Sequence, residues 1–256
     1  MSTTWNPDLY LRFQPERTQA SIDLVSRIKL DSPATIIDIG CGPGNSTSVL
    51  ASRWPSSVLT GVDSSEEMVA RASQDYPDWL WIHADVRDLP SEPTYDLVFS
   101  NATLQWIPDH EALIPHIYGM IRGVGAFAVQ IPLFEGMPVR QAIAIVATRS
   151  PWRALMSNIA SLVVHEAGFY YDLLTPVARS IVIWQTAYVH EMESHASIVE
   201  MMKSTALRPY LERIDVESDR DLFLMEVTDE VAAFYPTQRN GRVLFPFNRL
   251  FFIAYR

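Results

Sequence analysis

Asp38, Gly40, Gly42 and Gly44 are packed into the segment DIGCGPG, between the apolar run ATIIDI and the start of NSTSVL. A glycine backbone can take positive φ and come into contact with a ligand, and a helix that starts just beyond adds unused N–H donors. A dinucleotide fingerprint would read G-x-G-x-x-G. This loop reads D-x-G-x-G-x-G, and its acid repels a pyrophosphate but attracts an ammonium or sulfonium. The ligand expected at the turn carries positive charge.

Further along, Asp63 ends SVLTGVD, where a carboxylate can grip a ribose diol. Asp85 ends LWIHAD, suited to accept from an exocyclic amino group such as that of adenine, and Asn101 ends YDLVFSN. Four polar residues at the ends of four successive apolar segments make one crevice, of the kind found at the switch point of an open sheet. A cation, a ribose and an adenine together specify S-adenosylmethionine. Helix capping by these acids is the competing explanation for Asp63 or Asp85 taken singly.

The elements that would hold these groups follow from hydrophobic periodicity. Residues 14–29 have helical spacing (Ala20, Leu24, Val25, Ile28) and Pro33 follows. From residue 34 to 131 strand and helix alternate, the pattern of a parallel sheet covered by helices. Within it, 44–54 is a helix capped by Asn45 or Ser46, Ser64 and Glu67 stand at capping-box spacing, and the helix at 110–123 is interrupted near Pro115. Residues 137–168 read as mostly helical, 179–190 as a strand, and 194–235 as helix with a break at Leu207–Tyr210. The aromatic ending RVLFPFNRLFFIAY supplies final strands. The organisation is one domain over 1–256: a cofactor-binding core at 30–132, a helical cap at 133–178 and 194–240, and last strands at 179–190 and 241–256.

Composition narrows the partners. The net charge is −10 with no Lys/Arg run, which disfavours nucleic acid. No apolar run approaches the roughly 18 residues of a membrane span, and Pro7 with polar neighbours occupies the place of a signal peptide's apolar region. The single cysteine, Cys41, cannot form an intrachain disulfide. A cytoplasmic protein without a membrane partner is expected. The sequence leaves its oligomeric state open.

WNPDLYLRF (5–13), DIGCGPGNST (38–47), TGVDSS (60–65), NATLQWIPDH (101–110), AVQIP (128–132), ALRPY (206–210) and RLFFIA (249–254) together resemble the trans-aconitate methyltransferase family of class I S-adenosylmethionine-dependent methyltransferases. The resemblance implies a Rossmann-like, doubly wound, mostly parallel seven-stranded sheet with an inserted helical cap. It implies methyl esterification of a carboxylate on aconitate or a related small polyacid, with S-adenosylhomocysteine as the second product. By the same likeness Asp38, Gly40 and Asn45 surround the methionine end of the cofactor, Gly42 is a further cofactor-binding residue, and Asp63 holds the ribose. Ser64 and Met68 lie beside the nucleoside, Asp85 and Val86 meet the adenine, and Asn101 with Trp106 forms the floor under the methyl group. Tyr10 and Arg17 belong to a segment that folds over the site. The chain departs from the family in AVQIPLF, where Leu133 and Phe134 replace an Asp-Asn pair.

A carboxylate nucleophile has a reference pKa near ~4 and needs no general base. Alignment and exclusion of water then carry the reaction, with Trp106 and Tyr10 as positioning candidates and no metal. The other carboxylates of a polyacid require cationic forks, for which Arg208, Arg249 and Arg17 are the candidates. His190 would serve as a base if the acceptor were a phenol or amine. The alternatives are methylation of another small-molecule acid or hydroxyl, a nicotinamide oxidoreductase, and a non-catalytic scaffold of the same fold.

Overall fold

The structure, a computed structural model, describes residues 14–157, 159, 162–203 and 205–256, with side-chain surroundings from Thr18 onward. After α1 (Gln14–Arg27), the chain alternates β1 (Thr35–Ile39), α2 (Asn45–Arg53), β2 (Val58–Asp63), α3 (Glu66–Asp75), β3 (Leu80–His83), β4 (Tyr95–Asn101), α4 (His110–Gly119) and β5 (Ile121–Pro132). Then come α5 (Pro138–Ala147), α6 (Trp152–Leu155), α7 (Ala167–Leu174), β6 (Ser180–Met192), α8 (His195–Lys203), α9 (Arg208–Leu211), α10 (Glu217–Phe234) and β7 (Val243–Tyr255). The seven strands form one sheet in the order β3-β2-β1-β4-β5-β7-β6.

The central strands are apolar on both faces because helices cover both: Ile36, Ile37, Leu97, Val98, Phe99, Phe127 and Ala128 are all sealed from solvent. β1 pairs in parallel with β2 (Asp38↔Gly61) and with β4 (Asp38↔Phe99), and β4 pairs in parallel with β5 (Asn101↔Gln130). β7 runs antiparallel to β5 (Gln130↔Phe251, Pro132↔Arg249). The chain goes from β1 outward to β2 and β3, then crosses back to β4 on the other side of β1. That reversal places the switch point between the carboxyl ends of β1 and β4, where Gly40 and Asn101 stand.

The residues divide into two compact units. One holds Pro15–Pro132, Leu162–Thr186 and Arg249–Arg256, hence most of the sheet. The other includes Leu133–Ser161 and Ala187–Asn248. Its interior is built where Val139, Ile143 and Val146 of α5 and Phe223, Val227 and Val231 of α10 are buried. Trp152 is edge-on to Phe223 at 5.3 Å and donates to Glu226 Oε2 at 3.0 Å.

Several local expectations are corrected. The cap of α2 is Gly44, in the left-handed region and with no side chain to accept a capping hydrogen bond, while Ser46 is turned inward to Asp38. The cap of α3 is Ser65, one residue beyond Ser64; its hydroxyl accepts the Met68 N–H. α4 continues through Pro115, which lies in the helix interior and removes a single i→i−4 bond. Residues 162–166 are not helical: Val163 and Val164 favour extended backbone, and Val163 N–H donates to the Gln105 carbonyl at 2.8 Å. The helical stretch 194–235 is interrupted around Leu207–Tyr210 as expected, and within that interruption Arg208–Leu211 forms a short helical turn of its own with Pro209 in its first turn.

Candidate active site

All three glycines of the turn after β1 have positive φ: 71° at Gly40, 54° at Gly42 and 94° at Gly44. At Gly40 and Gly44 a side chain is also barred by neighbours, since a Cβ would stand 2.0 Å from Thr103 Oγ1 or 2.8 Å from the Tyr76 ring. Gly42 differs. A Cβ there would meet nothing nearer than Met68 Sδ at 4.0 Å, so its backbone borders open space.

Asp38 lies under this turn, 1% exposed. Its Oδ2 accepts from Ser46 Oγ at 2.6 Å and Thr47 Oγ1 at 2.7 Å, while its buried Oδ1 has no hydrogen-bond partner. Burial pushes its carboxyl up to about 6 against the lowering effect of the two hydroxyls, and the Asp63 charge adds to the rise. A buried carboxylate oxygen without a donor is a place for a cation or an N–H. Asp63, at the end of β2, accepts from Gly42 N–H and Ser65 N–H, both at 2.9 Å. Burial raises its carboxyl, and the backbone donors oppose that. Ser64 N–H is a further backbone donor to the same carboxylate, which with about four lone-pair sites keeps capacity for a hydroxyl. Asn45 is the first residue of α2, and Met68, buried on α3, points over Gly42.

Asp85 is arranged differently. Its carboxylate takes the Arg87 fork, with Nε to Oδ1 at 2.9 Å and Nη2 to Oδ2 at 2.6 Å, and caps the 3₁₀ turn Val86–Asp88. The Arg87 hydrogen bond holds the Asp85 carboxyl below its ordinary range. Val86 is buried. The Ser64 carbonyl faces His83 Nε2 at 3.1 Å.

The end of β4 folds back tightly. Ala102 has φ 55°, its N–H donates to the Gln130 carbonyl, and its carbonyl accepts Gln105 Nε2 at 2.7 Å. Thr103 Oγ1 donates to the Gly40 carbonyl at 3.2 Å, so this loop is tied to the glycine turn. Gln105 is buried on the 3₁₀ turn that follows, whereas Trp106 is 44% exposed. His110 anchors that turn, with Nε2 2.9 Å from the Leu104 carbonyl and Nδ1 2.9 Å from Tyr170 Oη.

Of the arginines, Arg249 is buried on β7, 3% exposed, with Nη1 donating to Gln130 Oε1 at 3.2 Å. Arg208 is exposed and paired with Glu212 at 2.8 Å on its own turn. His190, on β6, lies among the Phe245 and Phe247 rings. Both Arg208 and His190 belong to the second compact unit, whereas Asp38, Asp63, Asp85, Asn101 and Arg249 share the first. Tyr10 lies outside the described residues; Arg17 is in α1 with its side chain outside them.

Residues 36–125 match the methyltransferase domain family. A trans-aconitate 2-methyltransferase of Azoarcus sp. is 41% identical over 254 residues, spanning 99% of both chains. The chain belongs to the trans-aconitate 2-methyltransferase family. Two solved structures share the fold at low identity. The YcgJ protein from Bacillus subtilis is 12% identical with a TM-score of 0.62 and covers 93% of this chain and 98% of its own. Phosphoethanolamine N-methyltransferase 2 of Haemonchus contortus, solved with S-adenosyl-L-methionine, is 15% identical with a TM-score of 0.59, covering 97% and 56% respectively.

Within this trans-aconitate 2-methyltransferase family member, sequence reasoning assigned no site role to Thr47, Thr103 or Gln130 and took Ser46 for a helix cap. Ser46 and Thr47 reach back to Asp38, and Thr103 reaches the Gly40 carbonyl in the turn, contacts that spacing alone does not reveal. Gln130 did leave a sign, as the sole polar residue in the buried run GAFAVQI.

Proposed function

We propose that the chain transfers a methyl group from S-adenosyl-L-methionine to a carboxylate of trans-aconitate or a similar small polycarboxylic acid, releasing S-adenosylhomocysteine. The observation that carries this reading is the 41% identity over 99% of both chains with the Azoarcus enzyme. The residues present fit the donor: Asp38 keeps a buried oxygen without a partner, and the Gly42 backbone borders open space.

Bound there, the donor supplies an electrophilic methyl group on a cationic sulfur. Asp38, Gly40, Gly42 and Asn45 would hold its methionine end, Asp63 its ribose, and Ser64, Met68, Asp85 and Val86 its nucleoside. Adenine contact by Asp85 requires the carboxylate to share or release Arg87. Asn101 and Trp106 would form the floor below the methyl group. An acceptor carboxylate is already ionised at neutral pH, with a reference pKa near ~4, so no side chain has to remove a proton. The chain's task is alignment in a space that excludes water, for which effective molarities of ~10⁵ M are attainable. Arg249 is the best-built fork for a second carboxylate, since burial strengthens its charge-assisted hydrogen bonds.

The test is a panel of small di- and tricarboxylates with labelled donor, read by mass spectrometry for methyl esters. Binding of S-adenosylhomocysteine without any ester would overturn the acceptor assignment and leave the cofactor assignment standing. Leu133 and Phe134, in place of the family's Asp-Asn pair, favour a second reading in which the acceptor is a less polar acid or a hydroxyl.

A further inference from the structure

Gln130 is wholly buried, in register with Asn101 on one side and Phe251 on the other. Strand alternation sends Asp38, Asn101, Gln130, Phe251 and Arg249 to one face of the sheet. Guanidinium groups donate and never accept. The Gln130 atom that meets Arg249 Nη1 is therefore the amide oxygen, which fixes the amide the only way round. Its Nε2 is turned away from the arginine, buried and without a hydrogen-bond partner. Asn101, alongside it, also has a buried amide atom without a partner. Two amides and a guanidinium thus converge on three adjacent strands. Gly40, at the end of β1, lies two strand spacings away across β4, about 10 Å.

We infer that Gln130 is a substrate-binding residue: its Nε2–H donates to a carboxylate of the acceptor that is not being methylated, oriented for this by Arg249. The inference rests on the polycarboxylate reading above and deepens it by naming a residue that senses the acceptor's second charge. An acid of suitable length then places its reactive carboxylate toward the glycine turn while Gln130 and Arg249 hold its far end.

Two variants separate donation to substrate from support of Arg249. Gln130→Glu keeps an acceptor for the guanidinium and removes the donor; Gln130→Met removes both at nearly constant volume. Steady-state kinetics with the best polyacid of the panel are measured beside S-adenosylhomocysteine binding by calorimetry. Gln130→Met is expected to raise KM about tenfold to hundredfold, with kcat and the calorimetric Kd within about threefold, as for a lost hydrogen bond to a charged group. Gln130→Glu should raise KM further, because its charge repels the acceptor. A wild-type KM in Gln130→Glu would reduce Gln130 to a support for Arg249 and overturn the inference. So would S-adenosylhomocysteine affinity falling in step with KM in both variants, which is the mark of a structural residue. A wild-type protein that esterifies no polyacid would remove the polycarboxylate reading and this inference with it, a result distinct from turnover that is indifferent to Gln130.

Discussion

Asp63 Oδ2 accepts the Gly42 N–H at 2.9 Å, so the acid that ends β2 also holds the turn that ends β1. One carboxylate shapes the loop and faces the proposed ribose. Asp63→Ala is expected to lose both functions and weaken S-adenosylhomocysteine binding by about a hundredfold or more, the sum of two charge-assisted hydrogen bonds. Asp63→Asn retains one acceptor oxygen and should fall between the two. Calorimetry measures both, and a wild-type Kd in Asp63→Ala would remove Asp63 from the site.

Asp38 makes binding depend on pH. Its folded carboxyl is pushed up to about 6 from an ordinary 3.8. The folded state therefore takes up a proton that the unfolded state does not, as pH falls from about 6 toward 3.8. Ionised Asp38 is thus a cost above pH 6, relieved below it. A cationic ligand reverses the preference by holding the ionised form. Affinity for the donor should fall as pH drops through 6, by up to about tenfold per unit, with a proton released on binding. In Asp38→Asn the slope should flatten and binding weaken, while thermal stability is kept or raised. Calorimetry at pH 5 to 7.5 in buffers of different ionisation enthalpy reads both effects.

The alternating pattern from residue 34 to 131 was legible because each parallel strand is a short apolar run ended by a polar residue at the crevice. Asp38, Asp63 and Asn101 could be picked out that way, and the structure gathers them around one turn. The hydrogen bonds of Asp85 to Arg87 could not be read, because a local ion pair and a ligand contact make the same demand on an acid. Residues 162–166 depart from the helical reading through tertiary contact: Val163 is held extended by the Gln105 carbonyl, some 60 positions earlier. Gln130 needed the register with Arg249 before its orientation meant anything.

The glycines of the turn should separate stability from binding. Gly44→Ala forces a Cβ to 2.8 Å from the Tyr76 ring at φ 94° and should lower Tm by several degrees, a cost on the order of 2 kcal/mol. Gly42→Ala meets no neighbour closer than 4.0 Å, and only its φ of 54° is strained, at about 1 kcal/mol. It should remain folded, yet its methyl group fills ligand space, so S-adenosylhomocysteine binding should be lost. Equal binding in wild type and Gly42→Ala would mean that no ligand approaches this backbone.

Arg249 and Arg208 differ in burial, and their variants should differ accordingly. Arg208 makes an exposed pair with Glu212, a kind of interaction worth little, so Arg208→Ala should leave the acceptor KM within about twofold. Arg249→Lys keeps a charge but loses the planar fork, and should raise KM about tenfold or more with little change in S-adenosylhomocysteine binding. The reverse ranking would move the acceptor's second carboxylate away from β7.

His110 sets a second pH dependence of opposite sign. The Leu104 carbonyl can only accept, so Nε2 carries the proton and Nδ1 accepts from Tyr170 Oη. Burial lowers the His110 pKa, the Leu104 carbonyl opposes the lowering, and His165 adds to it. With the folded value depressed, the unfolded chain takes up its proton first, below its ordinary value near ~6.5. Stability is therefore full above about pH 6.5 and is lost as pH falls through the folded value. Asp38 pulls the other way over an overlapping range, so the wild type reports a sum. Subtracting the curve of His110→Gln from that of the wild type isolates the histidine. Urea midpoints at pH 5 and pH 7.5 should then differ less in the variant in the acid-destabilised direction. Tyr170→Phe, which removes the donor to Nδ1, should cost about 1 kcal/mol at neutral pH and weaken the acid sensitivity, because it raises the relative cost of the neutral ring. A variant as acid-sensitive as the wild type would show that the turn carrying Gln105 and Trp106 is held by something other than this imidazole.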